Sequence, residues 1–139
     1  MADLTTEFLG IKSPNPFWLA SAPPTDKEYN VRRAFEAGWG GVVWKTLGID
    51  PPVINMSSRY GAHHDNNRNV IGINNIELIS DRPLEVNLQE IRECRVEYPD
   101  HVIIGSMMAP IEERTWKDLA QQIAESGVHG IELNLGCPH

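Results

Sequence analysis

Residues 42–46 read Val-Val-Trp-Lys-Thr, a short apolar run followed directly by a lysine and a threonine. A short apolar run between turn residues is typical of a strand buried on both faces, as the strands of a parallel sheet are. Comparable runs occur at residues 17–20, 102–107 and 130–134. The sequence therefore predicts four strands of one parallel sheet.

Apolar residues recur at helical spacing between these strands. The three stripes cover residues 31–38, 84–98 and 116–127. Thr-x-x-Glu at residues 25–28 and Thr-x-x-Asp at residues 115–118 have the form of N-terminal capping boxes for the first and third helices. A β-hairpin in residues 4–16, turning near Gly10, is predicted ahead of this alternation of strands and helices.

Residues 47–80 form a long segment rich in Pro, Asn, Gly and His. Connections of that length are uncommon in compact domains and are often functional or disordered. The sequence predicts an irregular loop here.

Two sheet architectures fit the alternation of strands and helices. One is an open, doubly wound sheet, and the other is a (β/α)8 TIM barrel, which takes about 250 residues. A chain of 139 residues would supply the N-terminal half of such a barrel, about four βα units preceded by the short β-hairpin. Length alone favours the open sheet. The motifs described below favour the half-barrel, as a single truncated domain over residues 1–139.

Charge and composition exclude several classes of protein. Twelve Lys and Arg against nineteen Asp and Glu give a net charge of −7, so the average field repels nucleic acids and anionic membranes. No apolar run approaches the roughly 20 residues of a membrane-spanning helix, and the first residues lack the features of a signal peptide. These features predict a soluble, cytoplasmic protein.

Polar side chains follow each predicted strand. Ser21 follows the first, Lys45 and Thr46 the second, Ser106 ends the third, and Asn134 lies at the end of the fourth. Ligands of parallel α/β folds gather at the carboxyl ends of the strands, so we expect a site there. Lys45 has two interpretations: a lysine that reaches solvent at a strand end, or a fixed cation facing an anion or an electron-rich ring.

The two cysteines differ in their surroundings and form neither a disulfide framework nor a metal-binding CxxC pair. Cys94 lies on the apolar stripe of a helix and is predicted to be a core thiol. Cys137 lies in a loop and is followed by a proline, which disfavours helical geometry there. It is either an inert loop cysteine or a general acid at neutral pH. His63-His64-Asp65 lacks a third clustered metal ligand, so we expect no metal site there.

Five blocks of the sequence carry a family resemblance. They are residues 15–22 (NPFWLASA), 32–40 (RRAFEAGWG), 44–46 (WKT), 75–80 (NIELIS) and 132–139 (ELNLGCPH). Together they resemble the FMN domain of dihydropyrimidine dehydrogenases, above all the bacterial NAD-dependent subunits. The wider group is the dihydroorotate dehydrogenase-like superfamily of FMN-binding (β/α)8 barrels.

The resemblance implies a role for each matching residue. Those matching FMN contacts are Ser21, Lys45, Thr46 and Asn134. Those matching pyrimidine contacts are Asn75, Asn134, Leu135 and Gly136. Cys137 matches the proton donor. Gly136 stands where the family commonly has serine, and Trp18 and Trp44 are bulkier than the small residues expected there.

The implied reaction is reduction of the C5–C6 double bond of uracil or thymine, with hydride from reduced FMN and a proton from Cys137. The resemblance also implies an oligomer that receives electrons from a subunit using NAD(P)H and FAD. It places [4Fe–4S] clusters, a second FMN lysine and the FMN phosphate site in a missing C-terminal part. We therefore expect this fragment alone to bind FMN poorly and not to turn over.

Two alternatives stay open from the sequence. The chain could come from a relative of dihydroorotate dehydrogenase, which would oxidise dihydroorotate and need cationic contacts for the substrate carboxylate. It could also be a truncated, non-catalytic chain that needs the missing half to fold.

Overall fold

The predicted alternation of strands and helices is confirmed in a computed structural model, which describes residues 2–50, 60–75 and 78–136. The first elements are β1 (Thr6–Phe8), β2 (Ile11–Ser13), β3 (Trp18–Leu19), a 3-10 turn (Pro23–Thr25), α1 (Glu28–Glu36) and β4 (Gly41–Leu47). The remaining elements are β5 (Tyr60–His64), β6 (Val70–Asn75), α2 (Leu84–Glu97), β7 (Val102–Met107), α3 (Glu113–Glu125) and β8 (Gly130–Leu133).

The four apolar runs form one parallel sheet in the order β3-β4-β7-β8. Strands that follow one another along the chain are therefore neighbours in space, and the order does not reverse within this sheet. Because all four strands run the same way, their carboxyl ends lie along one edge. Every polar residue predicted at a strand end is brought to that edge.

The three helices cover the sheet with the apolar stripes that the sequence predicts. The core includes Val31 and Phe35 of α1, Leu88, Ile91 and Cys94 of α2, and Leu119 and Ile123 of α3. These pack with Val42, Trp44, Ile103 and Met107 of the two central strands. Cys94 is fully buried in this cluster, which confirms it as a core thiol.

The N-terminal hairpin is also confirmed. β1 pairs with β2 in antiparallel register, and the turn between them uses Leu9 and Gly10 with φ of 51° and 80°. Ser13, at the end of β2, donates from Oγ to the carbonyl of Gly40 at 3.1 Å and accepts from the indole of Trp18 at 2.9 Å. The bulky Trp18 is thus accommodated by a hydrogen bond that ties the hairpin to the sheet.

The prediction of an irregular loop over residues 47–80 is wrong for residues 60–75, which form the antiparallel hairpin β5–β6. A carboxylate closes its turn: Asp65 Oδ1 accepts from the amides of Asn67 and Asn69, both at 2.8 Å. Arg68 takes a positive φ of 64° between them. Ile71 and Ile73 of β6 are exposed, so the strand lacks the buried face that hydrophobic patterning detects.

Both predicted capping boxes are wrong. α1 begins at Glu28 without a side-chain cap from Lys27, and Thr25 instead ends the 3-10 turn, accepting from the amide of Ala22 at 3.2 Å. The first amide of α1 donates to Glu90 Oε2 on α2 at 3.1 Å, so a carboxylate from a neighbouring helix satisfies it.

The third helix starts earlier than its threonine suggests. α3 has Glu112 as its N-cap residue and begins at Glu113. Thr115 therefore lies within the first turn, where its hydroxyl donates to the Glu112 carboxylate. No helix within the three described stretches combines the length and apolar character needed to cross a membrane.

Burial should make Cys94 inert towards thiol reagents. Desolvation raises the pKa of this thiol from 9.0 to about 11, so at pH 8 it stays protonated as well as shielded. We expect no alkylation of Cys94 in the native protein at pH 8 and complete alkylation in denaturant, measured by peptide mass spectrometry. The neutral thiol's contribution to stability should fall as pH rises from 9 towards 11, because only the unfolded state ionises freely in that range. Rapid native labelling would contradict this placement.

Candidate functional site

Three strand ends are joined by a line of side-chain hydrogen bonds. Thr46 Oγ1 of β4 lies 2.9 Å from Ser106 Oγ of β7. Asn134, directly after β8, donates from Nδ2 to Thr46 Oγ1 at 3.0 Å. Thr46 and Ser106 are buried. The structure thus brings together Thr46 and Asn134, two of the residues that the sequence places in a site.

An irregularity in β4 falls at Lys45 and Thr46. Consecutive residues of a regular strand point to opposite faces. The register between β4 and β7 shifts between Trp44 and Leu47, where three steps along β4 match two steps along β7. Such a bulge inserts one extra residue and re-aims side chains, and bulges are frequent beside active sites.

Lys45 is buried rather than extended into solvent. It exposes only 5% of its surface, and its Nζ donates to the carbonyl of Leu78 at 2.7 Å. The backbone of Thr46 holds the same segment, because its carbonyl accepts from the amide of Ser80 at 2.8 Å. The interpretation of Lys45 as a solvent-reaching lysine is therefore wrong. The cation is fixed at the end of β4 by residues 78–80.

Ser21, two residues after β3, contacts the strand at the opposite edge of the sheet. Its Oγ donates to Glu132 Oε1 of β8 at 3.3 Å, although β3 and β8 are the two edge strands. Neighbouring strands lie about 4.8 Å apart, so the edges of a flat four-stranded sheet are about 14 Å apart. A serine and a glutamate cannot span that distance. The chain just beyond the carboxyl end of β3 therefore bends towards β8 and lies beside it.

Asn134 also shapes the chain that follows β8. Its amide donates to the carbonyl of Met107 at 2.9 Å, which extends the pairing of β8 with β7. Its side-chain Oδ1 accepts from the amide of Gly136 at 3.3 Å, the hydrogen bond of an Asx turn. Leu135 is exposed between them. The turn ends at Gly136, and Cys137, the next residue, lies outside the described residues.

The remaining predicted residues are placed by backbone alone or lie away from this edge. Asn75 ends β6, in register with Tyr60, and its side chain lies outside the described part. His63 and His64 belong to the exposed β5. Among the described residues, no group of three or more His, Cys, Asp or Glu side chains could hold a metal ion.

Two residues that form hydrogen bonds at the strand ends were not assigned a role from the sequence. Ser106 completes the line of hydroxyls and amides, and Glu132 receives the Ser21 hydroxyl. Both were visible as polar residues near the carboxyl end of a predicted strand, which is the signal that could have assigned them.

The donor set at this edge suits a planar ring with alternating carbonyl and N–H groups. It combines an ammonium, hydroxyls and a carboxamide on a frame of backbone hydrogen bonds, and each of these side chains either donates or both donates and accepts. A flavin and a pyrimidine both present such an edge. The residues described here therefore fit FMN by the chemistry of their polar groups.

Comparison with known proteins identifies relatives over nearly the whole chain. The dihydropyrimidine dehydrogenase (NADP(+)), chloroplastic, of Arabidopsis thaliana is 41% identical over 143 aligned residues, covering 99% of this chain and 34% of that protein. The NAD-dependent dihydropyrimidine dehydrogenase subunit PreA of Escherichia coli K12 is 39% identical, covering 98% of this chain and 33% of that protein. The chain is homologous to dihydropyrimidine dehydrogenases. No protein-family model matches it.

More distant relatives carry the name of a second enzyme. The dihydroorotate dehydrogenase B (NAD(+)) catalytic subunit of Thermoplasma volcanium is 35% identical and is covered for 43% of its length. The chain spans only about a third of the dihydropyrimidine dehydrogenases it matches. One relative is named chloroplastic, so a cytoplasmic location stays a prediction from the sequence.

The hydroxyl of Thr46 should stabilise the strand ends. Replacing it in Thr46→Val deprives Ser106 and Asn134 of a partner, which we expect to lower the free energy of unfolding by about 1–3 kcal/mol. Thr46→Ser keeps the hydroxyl and should lose less. The exposed Thr5→Val is the matched control and should stay within about 0.5 kcal/mol of the original protein.

Urea unfolding followed by circular dichroism measures these differences. A loss in Thr46→Val no larger than that of the Thr5→Val control would show that the Thr46 hydroxyl contributes no stability, and would contradict the line described above.

Proposed function

We propose that this chain forms the FMN- and pyrimidine-binding part of an oxidoreductase that reduces the C5–C6 double bond of uracil or thymine. The observation that carries the proposal is the hydrogen-bonded line of Thr46, Ser106 and Asn134 across three strand ends. The homology to dihydropyrimidine dehydrogenases supports the choice of reaction.

The fold that we propose for the whole domain is a (β/α)8 barrel. Two features favour it over an open doubly wound sheet. The strand order β3-β4-β7-β8 follows the chain without the reversal that defines a doubly wound sheet. The contact between Ser21 and Glu132 brings the chain just beyond β3 next to β8, as closure of a barrel would.

Lys45, Thr46, Asn134 and Ser21 are the residues that we propose to hold FMN. When bound, FMN supplies the hydride that reaches C6 of the pyrimidine. The ammonium of Lys45 is held at a buried strand end, where a fixed positive charge stabilises negative charge on a bound ring more than it would in water. Thr46 and Asn134 orient polar groups along the same edge.

Asn75, Asn134, Leu135 and Gly136 are the proposed contacts to the pyrimidine, and Cys137 is the proposed proton donor to C5. An ordinary thiol has a pKa of about 8.5 and is protonated at pH 7, as a general acid must be. The Asx turn at Asn134 fixes the direction of the chain just before this thiol. The space where a Cβ of Gly136 would lie is open, so the missing hydroxyl of the usual serine leaves room for substrate or water.

The rest of the electron pathway belongs to the same proposal. Electrons would come from a subunit that uses NAD(P)H and FAD, through [4Fe–4S] clusters held elsewhere, in an oligomeric enzyme. The name of the Escherichia coli relative as a subunit supports a partner of this kind.

A dihydroorotate dehydrogenase activity is the second candidate, favoured by the Thermoplasma relatives at 35% and 31% identity. The two candidates differ in substrate. In the protein that carries this chain, loaded with FMN, we expect NAD(P)H-dependent loss of uracil absorbance and no reaction with dihydroorotate. Turnover of dihydroorotate without uracil reduction would overturn the first candidate. Failure to bind FMN, measured by flavin absorbance after desalting, would favour a non-catalytic chain.

Cys137→Ala tests the proton donor. We expect pyrimidine reduction to fall by about 10²–10⁴-fold, the usual contribution of a general acid, with FMN still bound. Cys94→Ala is the matched control, because it removes a thiol from the core and should leave turnover per bound FMN unchanged. Turnover of Cys137→Ala within about threefold of the original protein would remove this thiol from the mechanism.

A further inference from the structure

We propose that Asn87 is a positioning residue for Lys45. Its side-chain amide fixes residues 78–82, and the Leu78 carbonyl in that segment accepts the hydrogen bond of the Lys45 ammonium. The inference rests on the proposed function, because it assigns Asn87 a role in setting the cation that we place beside the flavin.

Asn87 is a fully buried amide on the apolar stripe of α2, next to Leu88. Burying an unsatisfied carboxamide is costly, and this one is satisfied on both sides. Its Oδ1 accepts from the indole Nε1 of Trp44 at 3.1 Å. Its Nδ2 lies 3.3 Å from Ser80 Oγ and 3.2 Å from the Pro83 carbonyl. The amide therefore links β4 to the segment that precedes α2.

Ser80 carries this link to the strand end. It is buried, and its amide donates to the carbonyl of Thr46 at 2.8 Å. Its Oγ donates to Asp26 Oδ1 at 3.1 Å while it accepts from Asn87. Leu78, whose carbonyl receives the Lys45 ammonium, lies two residues earlier on the same short segment. Displacing Ser80 would therefore displace the acceptor of Lys45.

The far end of the segment has a second anchor in the Arg82 guanidinium, although the Arg82 carbonyl also accepts from Asn87 Nδ2 at 3.4 Å. Arg82 donates from Nη1 to the carbonyl of Asp26 at 2.9 Å and to Glu90 Oε2 at 2.7 Å. These guanidinium contacts do not involve Asn87. We therefore expect loss of Asn87 to loosen residues 78–80 without unfolding α1 or α2.

Trp44 offers a way to separate positioning from simple stability. It is bulkier than the residue expected at this position from the family resemblance, and its size lets the indole reach Asn87. Trp44→Phe and Asn87→Leu break the same hydrogen bond between β4 and α2. Only Asn87→Leu also removes the bonds to Ser80 and Pro83. If Asn87 has a purely structural role, Lys45 should be modified at similar rates in the two variants. If it positions Lys45, only Asn87→Leu should change the rate at which Lys45 is modified.

The test uses the protein that carries this chain, free of FMN. The first readouts are the rate of Lys45 modification by acetic anhydride and amide hydrogen exchange in residues 78–82, both by mass spectrometry. We expect Asn87→Leu to accelerate both by about tenfold, and Trp44→Phe to change them by less than about twofold. Ser126→Ala removes another buried hydroxyl, which donates to the Ile123 carbonyl at 2.6 Å, and should change neither rate. FMN affinity should fall about tenfold in Asn87→Leu only.

Each outcome decides the proposal. Equal acceleration in Asn87→Leu and Trp44→Phe, or none in either, overturns it. If Asn87→Leu does not fold, Ser80→Ala removes the acceptor on the segment while Trp44 and Asn87 stay paired, and unchanged Lys45 modification in that variant overturns the proposal. If Asn87→Leu accelerates Lys45 modification but the original protein does not bind FMN, the positioning role is supported. The missing FMN binding then contradicts the proposed function alone.

Discussion

A buried hydroxyl, amide or ammonium destabilises a protein unless it finds a hydrogen-bond partner, and the carboxyl edge of this sheet is built around that requirement. Thr46 and Ser106 satisfy each other, Asn134 adds a third partner, and Lys45 is met by the Leu78 carbonyl. These partners come from three strands and the segment before α2. The strand ends are therefore held in register by polar groups, although the interior below them is apolar.

The same requirement connects the edge to the helices. Ser80 and Asn87 are buried polar residues between β4 and α2, and Trp44 joins them through its indole. Networks of this kind specify one arrangement when fully satisfied and destabilise the fold when a member is lost. Arg82 and Glu90 extend the network to α1. The helices thus support the strand ends through directed bonds as well as through apolar packing.

Sequence patterns predicted the parts of the fold that depend on burial. The runs at β4 and β7 and the stripes of the three helices were found because apolar residues must recur wherever a strand or helix meets the core. β5 and β6 were missed because Ile71 and Ile73 are exposed and the turn depends on the Asp65 carboxylate. Both helix caps were misassigned because the groups that satisfy an N-terminus can come from elsewhere, as Glu90 does for α1. At the carboxyl edge of the sheet, the closeness of Thr46 and Asn134 followed from their positions at strand ends, whereas the partners of Lys45 depend on tertiary contacts that spacing does not encode.

The bulge in β4 has a consequence for engineering. The extra residue between Trp44 and Leu47 is a property of backbone length, so grafting the Lys-Thr pair onto a regular strand would change the directions of its side chains relative to the neighbouring strands. A single deletion at this point would do the same within the protein. Transplanting this edge to another scaffold therefore means copying the irregular main chain along with the residues it carries.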